Sequence, residues 1–175
     1  MAWTGLLAEI HPPVDADYVD QFQRLAELNL DMKRLGPSKE LLVRRSILEA
    51  ALGNYHASRV AAKDAVLLDR ADAEPWFQLG MSCMYLAYAE AGAVAASLAD
   101  MAWEAIPLAD LLEEARDAFE RSADANPEDE EAGRLAAEVA AIRVRHPEEP
   151  ALRALMLGES RGEPTRPPRP KLRRG

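Results

Sequence analysis

The side chains that most often carry chemistry are few in this sequence, and they lie far apart. Cys83 is the one cysteine, and the three histidines, His11, His56 and His146, belong to different segments. None of the histidines stands at a spacing from Cys83 that a thiol nucleophile or a zinc site uses. Free cysteine is among the most frequently buried residue types, so we interpret Cys83 as a small core side chain. The sequence therefore predicts no enzyme activity, no catalytic residue and no metal site.

Carboxylates cluster at two places, Glu113-Glu114 and Glu128–Glu131. The second cluster opens a predicted helix, where the free backbone N–H groups stabilise negative charge. This role explains the cluster without a bound metal ion. The nine glycines form no phosphate-binding loop, since most of them interrupt helical segments or belong to the C-terminal region. We predict no cofactor.

Charge is distributed unevenly along the chain. Residues 158–175 contain six basic and two acidic side chains, a net charge of +4; since the whole chain carries −9, residues 1–157 carry −13. An acidic body repels nucleic acid and anionic membranes, whereas the basic segment attracts them. The segment is rich in Pro and Arg and has nothing to bury, so we predict that it is disordered. Its predicted electrostatic contacts are Arg166, Arg169, Lys171, Arg173 and Arg174.

Two interpretations of this basic tail stay open. In the first, the chain is an accessory nucleic-acid-binding protein whose tail neutralises phosphates; the same charge would also suit anionic lipid or an acidic protein surface, this protein's own body included. In the second, the tail only keeps the protein in solution.

Nothing in the sequence marks the chain for export or for a membrane. Residues 1–5 show no basic region followed by an apolar run, which argues against a signal peptide. The longest uncharged run, residues 75–89, is shorter than the roughly 20 apolar residues that span a bilayer. A single cysteine allows no internal disulfide. We predict a cytoplasmic protein, and the use of 17 Arg against 4 Lys is typical of a GC-rich bacterial genome.

Apolar residues recur at steps of three and four over most of the chain, which predicts an all-α fold of about six or seven helices. The first stripe comprises Tyr18, Phe22, Leu25, Leu28, Met32 and Leu35. Gly36-Pro37 ends this helix, and Ser38 caps a second one that runs to about Leu52, where Gly53-Asn54 gives the turn. A third helix follows from about Tyr55 to Arg70. The predicted buried side of the third helix comprises Ala57, Val60, Ala61, Ala65 and Leu68.

Two further helices follow on the C-terminal side. Ala132, Leu135, Val139 and Ile142 line one face of a helix over residues 128–145, while charged side chains solvate its other face. A short helix is predicted at residues 151–157. We expect residues 1–157 to form one helical domain, capped at one end by the helix from Tyr18 to Leu35 and at the other by the helix over residues 128–145.

The middle of the chain carries a more specific pattern. Residues 39–72 make one helix-turn-helix unit of 34 residues, and a second unit spans residues 73–127. The marked positions of the second unit are Trp76, Leu79, Gly80, Ala115, Phe119 and Pro127. This pattern resembles the tetratricopeptide repeat (TPR) family, in which large side chains fill the space between paired helices and small ones let two backbones approach. The resemblance implies a stack of αα-hairpins.

The second unit is longer than the repeat because residues 87–111 are inserted. In one interpretation the first helix continues to near Ala96, Ser97 caps a return helix and Pro107 bends it, which makes a protruding hairpin. In the other, Gly92 ends the first helix and a short helix forms around residues 98–105. Because the insertion is Ala-rich and apolar, self-association through residues 87–111 is a further prediction.

The resemblance also implies a concave groove lined by the first helix of each unit. The predicted partner-binding residues are Val43, Arg44, Ile47, Phe77, Gln78, Met81, Met84, Tyr85 and Tyr88. If the apolar stripe over residues 77–88 belongs to the core, the inserted hairpin or the N-terminal helix must cover it. If it is open, its Met and Tyr side chains suit an apolar segment of another protein. We therefore predict a protein-binding adaptor or scaffold, a role that would fit within a larger assembly.

Overall fold

The structure, a computed structural model, describes residues 18–95 and 106–157, in which the side chains of residues 19–91 and 106–157 are placed. Seven helices and no strand occur within these ranges, so the predicted all-α class is confirmed. In chain order the helices are α1 Tyr18–Leu35, α2 Lys39–Ala51, α3 Tyr55–Leu68, α4 Ala73–Ala95, α5 Leu108–Ala125, α6 Glu130–Arg145 and α7 Glu149–Met156. The predicted disorder of residues 158–175 lies outside the described residues.

Helices that follow one another in sequence pack side by side from α1 to α6, and α7 packs back on α5 and α4. The largest cluster of buried side chains joins α3, α4, α5, α6 and α7, and a smaller one joins α2 to α3. The two hairpins α2–α3 and α4–α5 begin 34 residues apart, at Lys39 and Ala73. The chain is therefore a row of helical hairpins, with α1 at one end and α6 with α7 at the other.

Local signals set the bounds of the first three helices. Gly36 and Gly53 adopt φ values of +84° and +79°, a left-handed conformation that glycine reaches without steric cost and that ends α1 and α2. Ser38 begins α2, since its hydroxyl accepts a hydrogen bond from the backbone N–H of Leu41 at 3.3 Å. These stops and starts lie where the sequence predicted them.

The predicted apolar stripe of α1 is only partly buried. Leu25 and Leu28 are buried, whereas Phe22 and Leu35 are exposed. Burial is partial because α1 packs chiefly on one neighbour, α2, which covers a single narrow side of the helix.

The buried face of α3 also differs from the prediction. Ala61 and Ala65 are buried as expected, but Val60 and Leu68 are exposed. Instead, the face is completed by Ser58, Ala62 and Val66. The physical reason is that α3 lies between α2 and α4. The face that contacts these two helices carries small side chains, which let the helices approach closely.

Three serine hydroxyls meet where α2, α3 and α4 come together. The oxygens of Ser46, Ser58 and Ser82 are 2.8 to 3.1 Å apart in a closed triangle, and all three side chains are buried. Each hydroxyl has one proton to donate, so a ring of three satisfies every donor without water. This polar cluster joins the first hairpin to the first helix of the second.

The central contact of the fold is between α4 and α5. A Cβ atom added at Gly80 would lie 2.5, 2.7 and 2.8 Å from three carbons of the Phe119 ring, which is fully buried. The ring therefore occupies the space that a side chain at residue 80 would need. Ala115, one turn earlier on α5, is also fully buried. The predicted close approach at Gly80 and Ala115 thus has a specific geometry, in which Phe119 lies against bare backbone.

The structure covers part of the predicted insertion. α4 continues through Gly92 to Ala95, so Gly92 does not end the helix. Pro107 precedes α5 and does not bend a return helix, since α5 begins at Leu108. The predicted cap at Ser97 and the short helix over residues 98–105 lie outside the described residues.

The C-terminal helices follow the prediction closely. α6 begins at Glu130, and the carboxylate of Asp129 accepts a hydrogen bond from the N–H of Glu131 at 3.1 Å, which explains the acidic cluster by helix capping. The four apolar residues predicted for its inner face are all buried: Ala132, Leu135, Val139 and Ile142.

A hydrogen-bonded lysine ties the first hairpin to the loop before α4. The ammonium of Lys39 lies 3.1 Å from an oxygen of Asp69 and also bonds Asp72. The other oxygens of these carboxylates accept backbone N–H groups of Ala71 and Glu74 at 3.1 and 3.0 Å. The hydrogen bonds from Lys39 hold the pKa of both carboxyls below their usual 3.8, and they raise the pKa of the lysine above its usual 10.5. One side chain thus fixes the connection between the two hairpins.

Replacing Gly80 with Ala should destabilise the fold, because the added methyl group collides with a buried aromatic ring. We expect a loss of about 1–3 kcal/mol in the free energy of unfolding, measured by chemical denaturation. Gly133→Ala is the matched control: Gly133 is exposed on α6, and its new Cβ would find its nearest neighbour at 3.9 Å. This control should gain about 0.5–1 kcal/mol from helix propensity. Equal effects of the two substitutions would contradict the proposed contact.

Replacing Lys39 with Met should lower stability in a pH-dependent way. The two carboxyls have lowered pKa values in the folded state, so their contribution is present above pH 3.8 and is lost as the pH falls through the lowered values. The lysine contribution is present below pH 10.5 and is lost only above it. The deficit of Lys39→Met relative to the original chain should be constant around neutral pH and shrink in acid. Lys33→Met, on an exposed part of α1, should show no such pH dependence in the same denaturation series.

Candidate functional site

Two of the predicted partner-binding residues are parts of the core. Val43 and Met84 are buried, with only 3% and 1% of their surface exposed. Val43 packs with Leu42 and Ala65 between α2 and α3, while Met84 belongs to the large cluster around α4. A partner cannot touch either side chain while the protein is folded. The sequence pattern did not predict their burial, because α2 and α4 each pack against several neighbouring helices, which the periodicity of one helix does not reveal.

The other predicted residues reach the surface at two separate places. Arg44 and Ile47 are exposed on α2 and, with Leu48 and four residues of α1, line a cleft of about 230 Å³. The remainder of the stripe is half-buried on α4: Phe77, Gln78, Met81, Tyr85 and Tyr88. The structure therefore does not gather the predicted set into one site.

The stripe on α4 is covered along its edges by aromatic neighbours. The ring of Phe77 meets Phe119 edge-on at 5.7 Å between centroids, and Tyr85 lies 6.0 Å from Tyr55. Burial raises the pKa of both tyrosines, and in Tyr85 the nearby Tyr55 adds to the effect. α1 packs chiefly on α2, so it does not cover this stripe. The stripe thus lies at the edge of the core, and only part of its surface is exposed to solvent.

A larger groove lies on another side of the stack, between α3 and α5, and we call it the α3–α5 groove. It encloses about 750 Å³, within the range of known ligand sites, with α4 as its floor. The residues that line it are Lys63, Val66, Leu67, Arg70, Trp76, Leu79, Asp110, Glu113, Glu114, Asp117, Ala118 and Arg121.

The floor of the α3–α5 groove is apolar and firmly held. Leu79 and Val66 are buried beneath it, and the indole N–H of Trp76 donates to the carbonyl of Arg70 at 3.0 Å. The guanidinium of Arg121 lies 5.0 Å from the centre of the Trp76 ring, a cation–π distance. Trp76 therefore has its polar atom satisfied and its ring fixed, which leaves an ordered apolar surface at the end of the groove.

The charged side chains change sign along the length of the groove. On α5, Asp110, Glu113 and Asp117 follow one another at helical spacing, and Arg116 pairs with the latter two at 3.6 and 2.7 Å. Asp110 forms no ion pair with any residue that the structure describes. The opposite end carries the basic groups Arg70 and Arg121. The groove is thus acidic toward the start of α5 and basic toward its end, about 16 Å apart along the helix.

An ion-pair cluster joins the two walls near the acidic end. Both Arg59 and Lys63 of α3 bond the carboxylate of Glu114 on α5; the Arg59 Nε lies 3.1 Å and the Lys63 Nζ 2.7 Å from its oxygens. All three groups are only partly exposed, so solvent screens them less than an open surface pair. This cluster sets the width of the groove at that end.

The buried thiol beneath this cluster is not activated. Cys83 is fully buried, and that burial, with the charge of Glu114, raises the pKa of its thiol to about 12. The thiol is therefore protonated at neutral pH and packs as an apolar group, which agrees with its interpretation from the sequence. Within residues 18–95 and 106–157, no group of three acidic, histidine or cysteine side chains could hold a metal ion.

Two charged residues on α7 bind the backbone at the start of α5 and near the end of α4. The carboxylate of Glu149 accepts the backbone N–H groups of Leu108 and Ala109, at 3.0 and 3.3 Å, which otherwise have no helical partner. The guanidinium of Arg153 donates to the carbonyls of Glu90 and Ala91 at 3.0 and 3.2 Å. We call this pair the α7 clasp.

The α7 clasp stabilises both helices through their dipoles. Glu149 places negative charge at the start of α5, and Arg153 places positive charge near the end of α4, the favourable sign at each end. The two side chains also pair with each other at 3.6 Å. The C-terminal part of α4 and the start of α5 are therefore both held by α7.

Sequence reasoning missed the α3–α5 groove, although signals for it exist. Acidic residues recur along α5 at the spacing of one helix face, and Lys63, Leu67 and Arg70 follow a similar spacing on α3. What the sequence lacked was the relation between the two helices, which belong to different hairpins.

Comparisons with protein-family models, with curated proteins and with solved structures find no match to this chain. The TPR resemblance stays a prediction. Of the helices in the described part of the chain, none is both long and apolar enough to cross a membrane.

Replacing Glu149 with Gln should weaken the start of α5. The substitution removes the charge that holds two free backbone N–H groups, so we expect a loss of about 1 kcal/mol in stability. Hydrogen–deuterium exchange should become faster at the amides of Leu108 and Ala109. Glu148→Gln is the control, since Glu148 is exposed and forms no side-chain cap. If both variants leave exchange at these amides unchanged, the clasp does not hold α5.

Proposed function

We propose that this chain is a protein-binding adaptor or scaffold that holds a segment of a partner protein in the α3–α5 groove. The observation that carries the proposal is the groove itself: about 750 Å³ of space with an ordered apolar floor and charged groups of opposite sign at its two ends. Such a surface buries apolar side chains and orients them by charge, which is how short segments are recognised.

The dimensions favour a peptide segment over a small compact ligand. The charged positions from Asp110 to Arg121 extend about 16 Å along α5, the length of roughly three helical turns. Groove walls made of two helices suit a third helix laid between them, with apolar side chains at one-turn spacing toward Leu79 and Trp76.

The charges define the orientation of the partner segment. Basic side chains would face Asp110 and Asp117, and an acidic side chain would face Arg70 or Arg121. Because charges at the rim of an interface act mainly on selectivity and association rate, the apolar floor supplies most of the affinity.

A TPR-like stack supports the same role. The hairpins α2–α3 and α4–α5 begin 34 residues apart, and Gly80 and Ala115 lie at the close approach of the second hairpin. Repeat hairpins of this kind act by presenting surfaces to other proteins. The inserted segment, residues 87–111, adds a second contact with the partner protein in this proposal. Cytoplasmic location, a bacterial source, self-association through residues 87–111 and nucleic-acid binding by residues 158–175 stay predictions.

Site-specific photo-crosslinking from within the groove tests this proposal. A photoreactive amino acid at Leu67, which is 63% exposed at the edge of the groove, should capture one protein from the native cells. The same group at Val144, 82% exposed on α6, is the matched control and should not capture that protein. The crosslinked peptide should contain apolar side chains together with Arg or Lys, and Asp110→Arg with Asp117→Arg should reduce its yield.

Three outcomes would contradict the proposal. Equal capture from Leu67 and Val144 would show that the contact does not involve the groove. Capture of residues 158–175 of the same chain would show that the groove is occupied internally. No crosslinked protein at Leu67 would remove the groove as a partner site.

A further inference from the structure

Most cationic side chains around the α3–α5 groove are paired with carboxylates of the same chain. Arg59 and Lys63 on α3 both bond Glu114, and Arg116 on α5 pairs with Asp117 at 2.7 Å. Because these charges are largely neutralised within the fold, they attract a partner only weakly.

The two cations at the basic end of the groove differ from the others. Neither Arg70 nor Arg121 forms an ion pair with a residue in the described part of the chain. The guanidinium of Arg121 instead lies 5.0 Å from the centre of the Trp76 ring, a contact that leaves its charge without a counter-ion. This end of the groove therefore carries two positive charges for a partner to neutralise.

The acidic end shows the converse arrangement. Glu113 and Asp117 share Arg116, whereas Asp110 has no cationic partner among the described residues. The charge that a partner can neutralise at this end is thus concentrated at Asp110, in the first turn of α5.

The spacing of these unpaired charges is that of a helix. Asp110 and Arg121 are eleven positions apart on α5. Eleven residues make about three helical turns, so the two side chains lie on the same side of α5, about 16 Å apart. A partner helix laid along the groove can pair with both charges only when its own complementary charges have nearly the same separation.

The surface between the two charged ends is apolar. Val66, Leu79 and Ala118 are buried there, and Leu67 stands at the edge. On a partner helix, positions four and seven residues after the first charge lie on the same face as both charges. Apolar side chains at these two positions would therefore meet the floor of the groove.

We propose that the partner segment is an α-helix with a basic and an acidic residue eleven positions apart and two apolar residues between them, four and seven positions after the first charge. The basic residue pairs with Asp110, and the acidic residue pairs with Arg121. This inference rests on the proposed function, because it describes the segment that the α3–α5 groove holds. Intervals of four, three and four are the same in both chain directions, so the pattern fits a helix parallel or antiparallel to α5.

Binding of designed peptides to the full chain tests the pattern. The probes are capped Ala- and Gln-based peptides with Lys, Leu, Leu and Glu at these four positions, one for each chain direction. Fluorescence anisotropy of an attached dye measures their affinity. At least one probe should bind roughly tenfold more tightly than its control, in which the Glu is moved by two positions and so leaves the binding face of the helix.

A charge exchange assigns the contact to Arg121. Arg121→Glu should lower the affinity of the matched peptide roughly tenfold, and a peptide with Lys in place of its Glu should recover the loss. Lys33→Glu is the matched control, since it makes the same change of charge on an exposed part of α1 and should leave the affinity almost unchanged. The helical circular dichroism signal should show that both variants are folded.

The possible results separate this inference from the proposed function. Equal binding of the probes and their controls, or no recovery by the Lys peptide, would overturn the charge pattern. If no peptide binds while a photoreactive group at Leu67 captures a native protein, the pattern is wrong and the groove stays a partner site. If both measurements are negative, both proposals fail.

Discussion

The ring of Phe119 lies against bare backbone at Gly80, and this contact brings α4 and α5 closer together than two helices with larger side chains can come. It also sets the rotation of α5 about its own axis. With Phe119 and Ala115 turned inward, the row of Asp110, Glu113 and Asp117 must face away from the core and toward the wall of the α3–α5 groove. The surface that we propose as a binding site is thus a consequence of one buried contact.

Polar groups join neighbouring hairpins in this protein. The triangle of Ser46, Ser58 and Ser82 connects three helices inside the core, and Lys39 fixes the loop between the hairpins through two carboxylates. Apolar packing tolerates sliding and rotation, whereas hydrogen bonds and ion pairs require particular positions. The triangle fully satisfies its donors, so it specifies the arrangement of the helices without leaving a buried polar group unpaired.

The two ends of the stack differ in how far their apolar surfaces are covered. At the C-terminal side, α7 turns back on α4 and α5; its Glu149 accepts the free N–H groups at the start of α5, and its Arg153 donates to two carbonyls near the end of α4. At the other side, α1 keeps a row of exposed apolar side chains. A repeat stack needs both terminal faces covered, since each unit buries its apolar face only against a neighbour.

The sequence by itself determined the elements of this protein. Gly36, Gly53, the Ser38 cap and the apolar face of α6 were predicted because their causes act within a few residues along the chain. Only the tertiary structure decided which side of each helix is buried. Val43 and Met84 are buried in the core, Val60 and Leu68 are exposed, and α3 and α5 line one groove. The reason is that each helix has several neighbours, and the positions of these neighbours in space determine which of its faces is buried.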